Sequence, residues 1–107
     1  MSGITLKLDP NPTFWTKVAI PVPGSDKGAE IECEFVHMTR EEYASFTASA
    51  GDRTDHETAM MLLRGWKGPD MAFSSEALAK LLANYHGAAF AIAEKFATEL
   101  GKVRAGN

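Results

Sequence analysis

Cys33 and His37 are a nucleophile and a base by type, and they lie four positions apart in an alternating stretch. Positions i and i+4 of a strand share a face, but at a rise of about 3.3 Å per residue their α-carbons stand roughly 13 Å apart. A thiol and an imidazole at that distance do not share a proton unless the strand bends. The geometry favours the other reading, in which Cys33 is a small buried apolar residue beside Ile31 and Phe35. His56-Glu57 begins as a zinc-protease helix does, but position 60 is Met60 where the second histidine would stand. The three histidines fall in different elements without ligand spacing, so no metal site is expected. His56 reads as an exposed residue in the first turn of a helix.

Glu30, Glu32 and Glu34 alternate with apolar residues. Paired carboxylates do acid-base work when their surroundings differ. Three like charges at strand spacing more often make one solvated face that resists edge-to-edge pairing, or meet a basic partner. Gly24 to Gly28 lacks the lysine-serine ending and the helix of a phosphate-binding loop. Trp15, Trp66 and Phe73 offer stacking surfaces, but the basic surface that single-stranded nucleic acid needs is missing. Met60 and Met61 are adjacent on a helix and cannot both face inward, so one of them is left for a contact surface.

The elements that must position these residues change character near Thr39. Ile4 to Leu8 alternates and predicts a short strand. Asp9-Pro10-Asn11-Pro12 is a turn. Thr13 to Val22 puts Phe14, Val18 and Ile20 on one face of a second strand, with Pro21 and Pro23 placing its end at an edge or outside the sheet. Pro23 to Gly28 reads as a loop. Ala29 to His37 has Ile31, Cys33 and Phe35 on a dry face and the glutamates on a wet one, the pattern of an antiparallel sheet covered on one side. The last two strands predict a hairpin.

Thr39-Arg40-Glu41-Glu42 has the form of a capping box and opens a helix carrying Tyr43 and Phe46, which Gly51-Asp52 breaks. Asp55 is the expected cap of a second helix with Ala59, Leu62, Leu63 and Trp66 at helical spacing. Ser74 or Ser75 caps a third, with Leu78, Leu81, Leu82 and Tyr85 on one face. A fourth runs from about Ala88 to Val103 along Ala89, Ile92, Ala93, Phe96 and Leu100. The fold class is therefore α+β. A small antiparallel sheet, made of an N-terminal hairpin and a short strand, packs against a C-terminal layer of about four helices.

With 107 residues the chain is read as a single domain, β-rich over 1–38 and helical over 39–104. A chain this long buries roughly 65% of its unfolded surface, enough for a core without metal or disulfide. The net charge of -3, with both signs spread along the chain, argues against nucleic-acid and membrane-surface partners. One cysteine rules out an internal disulfide and suits a reducing compartment. No signal pattern opens the chain and no apolar run approaches the ~20 residues of a membrane span, so a soluble intracellular protein is expected.

Residues Leu62 to Asn84 carry a distinctive series: Gly65-Trp66-Lys67-Gly68, then Asp70, Phe73-Ser74, Glu76-Ala77-Leu78, Leu81-Leu82 and Asn84-Tyr85. Ala88-Ala89, Ile92, Phe96 and Glu99-Leu100-Gly101 follow. In the first half stand Ile20-Pro21-Val22-Pro23-Gly24 and Phe35-Val36-His37-Met38-Thr39-Arg40. Taken together this resembles the tail assembly chaperones of long-tailed bacteriophages and prophages. The likeness is sharpest over about the last 45 residues. The chain departs from it at His86-Gly87, where similar proteins often carry proline after the tyrosine.

The resemblance implies a non-enzymatic protein without catalytic, cofactor-binding or metal-binding residues. It implies binding to the tape-measure protein and help in recruiting tail-tube subunits, self-association into a homo-oligomer, a place in the cytoplasm of the bacterial host, and absence from the mature virion. A structural tail or head-tail joining protein retained in the virion is the alternative. Such proteins are often made in two lengths by ribosomal frameshifting, and Leu100-Gly101-Lys102 admits codons that would carry a slippery string; glycine then lysine is equally an ordinary helix end. A chaperone for a helical client needs an apolar strip with a charged rim. Met61, Trp66, Phe73 and Tyr85 are the candidate interaction residues, with core packing as their other reading.

Overall fold

The computed structural model describes residues 4–101. Its sheet is built from β1 (Thr13–Val22), β2 (Ser25–Val36) and β3 (Leu63–Lys67), all antiparallel, in the order β1-β2-β3. Four helices complete it: α1 (Arg40–Ala48), α2 (Asp55–Leu62), α3 (Ser75–Asn84) and α4 (Ala88–Gly101), with one 3-10 turn at Ala50–Asp52. The α+β class, the hairpin and the helical layer are as the sequence predicts. The stretch 102–107, which holds Lys102 and the expected helix end at Val103, lies outside the described residues.

The hairpin register pairs Phe14 with Phe35, Thr16 with Cys33 and Val18 with Ile31, so the apolar residues of both strands share the inner face. The loop expected over Pro23 to Gly28 is shorter than that: Pro23-Gly24 makes the turn and β2 already begins at Ser25. The register slips between Ile20 and Val22. There Gly28 has φ +68, and a Cβ on it would stand 2.4 Å from the Ile20 carbonyl oxygen, so only glycine fits the irregularity. Pro21 sits at the same irregularity on an edge strand, where its missing N–H costs little.

The sheet's short strand is β3, not Ile4 to Leu8. Ile4, Leu6 and Leu8 alternate as a strand should, but they lie exposed and pair with nothing among the described residues. The helix expected to carry Ala59, Leu62, Leu63 and Trp66 ends at Leu62, and Leu63 is already extended at φ -104, ψ 140. The cause is a bulge. Glu34 faces Gly65 and Phe35 faces Leu63, which leaves Arg64 as the extra residue. A bulge lets residues three apart both point inward, so Leu63 and Trp66 imitate helical spacing while lying on a strand. Gly65 also disfavours a helix there by about 1 kcal/mol against alanine.

The first two helices both start with full capping boxes. Thr39 Oγ1 accepts from the Glu42 N–H at 3.1 Å, and the Glu42 carboxylate accepts from the Thr39 N–H at 2.8 Å. For α2 the cap is Thr54 rather than Asp55, with Glu57 closing the box at 3.1 and 2.9 Å. Ser74 caps α3 through the Ala77 N–H at 3.0 Å. Arg53 satisfies the end of α1: its guanidinium donates to the Phe46 carbonyl at 2.8 Å and lies over the Phe46 ring at 4.6 Å.

The α4 helix starts beside the hairpin tip, where a Cβ on Gly87 would meet Pro21 at 2.8 Å, and runs along β1 toward Phe14. Phe96, 1% exposed, fills the centre of a ring cluster. Its centroid is 5.5 Å from Phe35, 6.0 Å from Tyr43 and 6.3 Å from both Phe14 and Phe46. No helix among the described residues is long and apolar enough to cross a membrane.

Candidate protein-interaction surface

Trp66 stands on β3 opposite Cys33, facing inward. Its indole N–H donates to the Met71 carbonyl at 2.8 Å, and its ring meets Phe73 edge-on, centroids 5.2 Å apart at 82°. These contacts fold the segment after β3 back over the sheet. Gly68 makes the bend possible at φ +120, its backbone passing so close to Ile31 that a Cβ would lie 3.2 Å from the Ile31 side chain. The α3 helix then returns alongside, packed on α2 and α4.

Between α3 and the sheet remains a groove of about 480 Å³. Ile20, Ile31 and Trp66 contribute to it from the strands; Ala77, Leu81 and Tyr85 contribute from the helical side. Glu30, Asp70 and Lys80 bring charge to it, and Met71, 43% exposed, is the open apolar contact. An apolar lining with charged neighbours suits a protein- or ligand-binding cleft.

The four sequence-predicted residues are only partly brought together. Trp66 and Tyr85 line this groove. Phe73 buttresses Trp66 without lining it. Met61 lies apart, in a shallower depression with Met38, Phe46 and Arg64 between α1 and α2. Trp66 is 9% exposed, so it serves as floor and core at once. Met71 and Phe90 are exposed apolar side chains outside the four predicted residues. Phe90 is exposed at the α2–α4 seam and falls off the apolar stripe of α4, a signal the sequence carried. Met71 sits in a loop, where no periodicity marks it.

The outer face of the sheet explains the glutamates. Lys17 and Lys67 both stand opposite Glu32 in the register, and Lys17 reaches Glu30 at 3.9 Å. Thr13 donates to the Glu34 carboxylate at 2.8 Å. Lys67 also lies over the Trp15 ring at 4.6 Å. The acidic stripe thus meets lysines of its own chain, in keeping with a solvated face.

The structure keeps Cys33 and His37 apart. Cys33 is fully buried on the inner face, and burial pushes its thiol up to about 12. His37 is exposed beyond the end of β2, where its N–H donates to the Pro12 carbonyl at 2.8 Å. His56 is half-buried, not exposed as expected. Its Nε2 lies 2.9 Å from the Ser75 carbonyl oxygen, so this nitrogen carries the proton and ties the start of α2 to that of α3.

A family model described as phage tail assembly chaperone matches residues 1–107, the whole chain. The chain belongs to that family. No curated protein and no solved structure matches it. For a tail assembly chaperone the apolar cleft under α3, rather than any constellation of polar groups, is the feature to account for.

Proposed function

We propose that this tail assembly chaperone binds the tape-measure protein, taking an apolar helical stretch of it into the groove between α3 and the sheet, and helps recruit tail-tube subunits to it. The role is non-enzymatic. The supporting observation is the groove itself: Ile31, Trp66, Leu81 and Tyr85 give it an apolar lining, and Glu30, Asp70 and Lys80 give it charge of both signs. A client helix with an apolar stripe and polar flanks would bury the first and pair with the second. Trp66 and Tyr85 are of the types that carry most binding energy at interface centres. Met61, in its separate depression, would extend the contact rather than anchor it. The chaperone acts in the cytoplasm of the bacterial host and leaves before the virion is complete.

The test is co-expression with tape-measure fragments, followed by analysis of purified particles. Soluble fragments that co-purify with the chain, and particles free of it, are expected. Fragments that stay insoluble beside the chain would contradict client binding. Stoichiometric recovery from particles would instead make it a structural tail or head-tail joining protein.

A further inference from the structure

Two features remain outside this reading, and they complement each other. The first is the segment Ile4 to Leu8. Its apolar residues alternate with Thr5 and Lys7, and Ile4, Leu6 and Leu8 are 99%, 85% and 89% exposed. Alternation of this kind is the pattern of a half-buried strand, yet these three side chains lie exposed and pair with nothing among the described residues. The second feature is the free edge of β1. Order β1-β2-β3 leaves one side of β1 without a neighbouring strand among the described residues. A concavity of about 770 Å³ runs along five consecutive β1 residues, Trp15 to Ala19, and is flanked by Glu30 and Glu32 on one face and by α4 on the other.

We propose that Ile4 to Leu8 of one copy adds as a strand to the β1 edge of a second copy. The inference does not rest on the client groove. Strand addition satisfies the open backbone groups of an edge and fixes the added side chains by alternation. Ile4, Leu6 and Leu8 would continue the inner face beside Thr16 and Val18 and cover the α4 flank at Ala91. Thr5 and Lys7 would continue the outer face. On that outer face the concavity carries the carboxylates of Glu30 and Glu32 against the amine of Lys17, a balance that suits an added lysine.

The chain's own segment is poorly placed for this site. With Asp9 to Pro12 as the loop, folding back sets Leu6 opposite Trp15 and Lys7 opposite Phe14. Residues opposite one another share a face, so the apolar side chains would go to the wet side and Lys7 to the core side. A three-residue turn would need Pro12 in a left-handed conformation that its ring forbids. A five-residue turn would bring only Ile4 and Leu6 inward. A second copy is free of these ties. Because donor and acceptor surfaces differ, the contact closes a reciprocal pair or a ring, or continues into a chain.

The test is sedimentation of the full chain over a concentration series beside I4D/L6D/L8D, with amide spectra of both. The wild type is expected to reach at least twice the 11.6 kDa monomer mass as concentration rises, while the triple variant stays monomeric with an unchanged fold. A peptide covering residues 4–11, added to the triple variant, should shift the amides of Trp15 to Ala19. A wild type that stays monomeric throughout would overturn the proposal, even if its β1 amides are protected, since that would be pairing within one chain. A triple variant that associates as the wild type does, or peptide shifts confined to the α3 groove, would also overturn it.

Discussion

Beneath α4 and α1 the inner face of the sheet is sealed by the rings of Phe14, Phe35, Tyr43, Phe46 and Phe96, whereas beneath α3 the same face opens into a groove. The strands are continuous between the two regions, so the difference lies in what the helices bring. At the Phe14 end, α4 and α1 carry aromatic side chains long enough to meet the sheet and one another. At the Ile20 end, α3 offers alanine and leucine, and the bend at Gly68 holds the preceding segment over Ile31 without filling the space. One end stabilises the fold, and the other leaves apolar surface open, the surface proposed above for the client. Substitutions in the two regions should therefore have opposite signatures.

The largest effect is expected from Phe96→Ala. It removes the centre of the ring cluster and should cost about 3–5 kcal/mol in chemical denaturation, without a specific loss of partner binding in whatever remains folded. A cost near zero would mean that this end is not sealed.

Cys33 gives the next test through pH. Its thiol releases a proton at 9.0 when unperturbed and at about 12 in the fold. Between those values the unfolded chain binds fewer protons than the folded one, so stability is complete below pH 9.0 and falls as pH rises. The expected slope is up to about 1.4 kcal/mol per pH unit, and the difference in slope between wild type and Cys33→Ala isolates it. The same thiol should resist alkylation at neutral pH until the chain unfolds.

Thr54→Ala, which breaks the box that starts α2, should cost about 1 kcal/mol in the same denaturation assay. The helix it caps packs on both α3 and α4 and so borders both regions.

Met71→Asp should change stability least, by no more than about 0.5 kcal/mol, because the side chain is exposed and only the backbone carbonyl holds Trp66. Its effect should appear in binding, as a loss of tenfold or more in client affinity measured by titration. A Met71→Asp chain that binds as the wild type does would separate the groove from the function.

The sealed region was largely legible in the sequence. Alternation placed Phe14, Val18, Cys33 and Phe35 on one face, and the α4 stripe placed Ile92 and Phe96 against it. The open region was less so, for identifiable reasons. The bulge at Arg64 gave a strand the spacing of a helix, which hid β3 and with it the inward aim of Trp66. Ile4 to Leu8 has the alternation of a strand without a partner among the described residues, and alternation does not say whether a partner exists. Trp66 and Tyr85 were found by residue type and do share a groove; Met61, chosen by the same reasoning, lies elsewhere. The second capping box is present in the sequence as Thr54-Asp55-His56-Glu57, where Asp55 is itself of a good capping type and competes with Thr54 for the role.

The most direct test of the groove as the client site is a paired pull-down from phage-producing cells, using tagged wild type and tagged Met71→Asp in parallel, with the tape-measure protein quantified in each. The account predicts that the wild type recovers the tape-measure protein and that Met71→Asp, equally folded and equally abundant, recovers at most a tenth as much. Equal recovery by the two chains would contradict it.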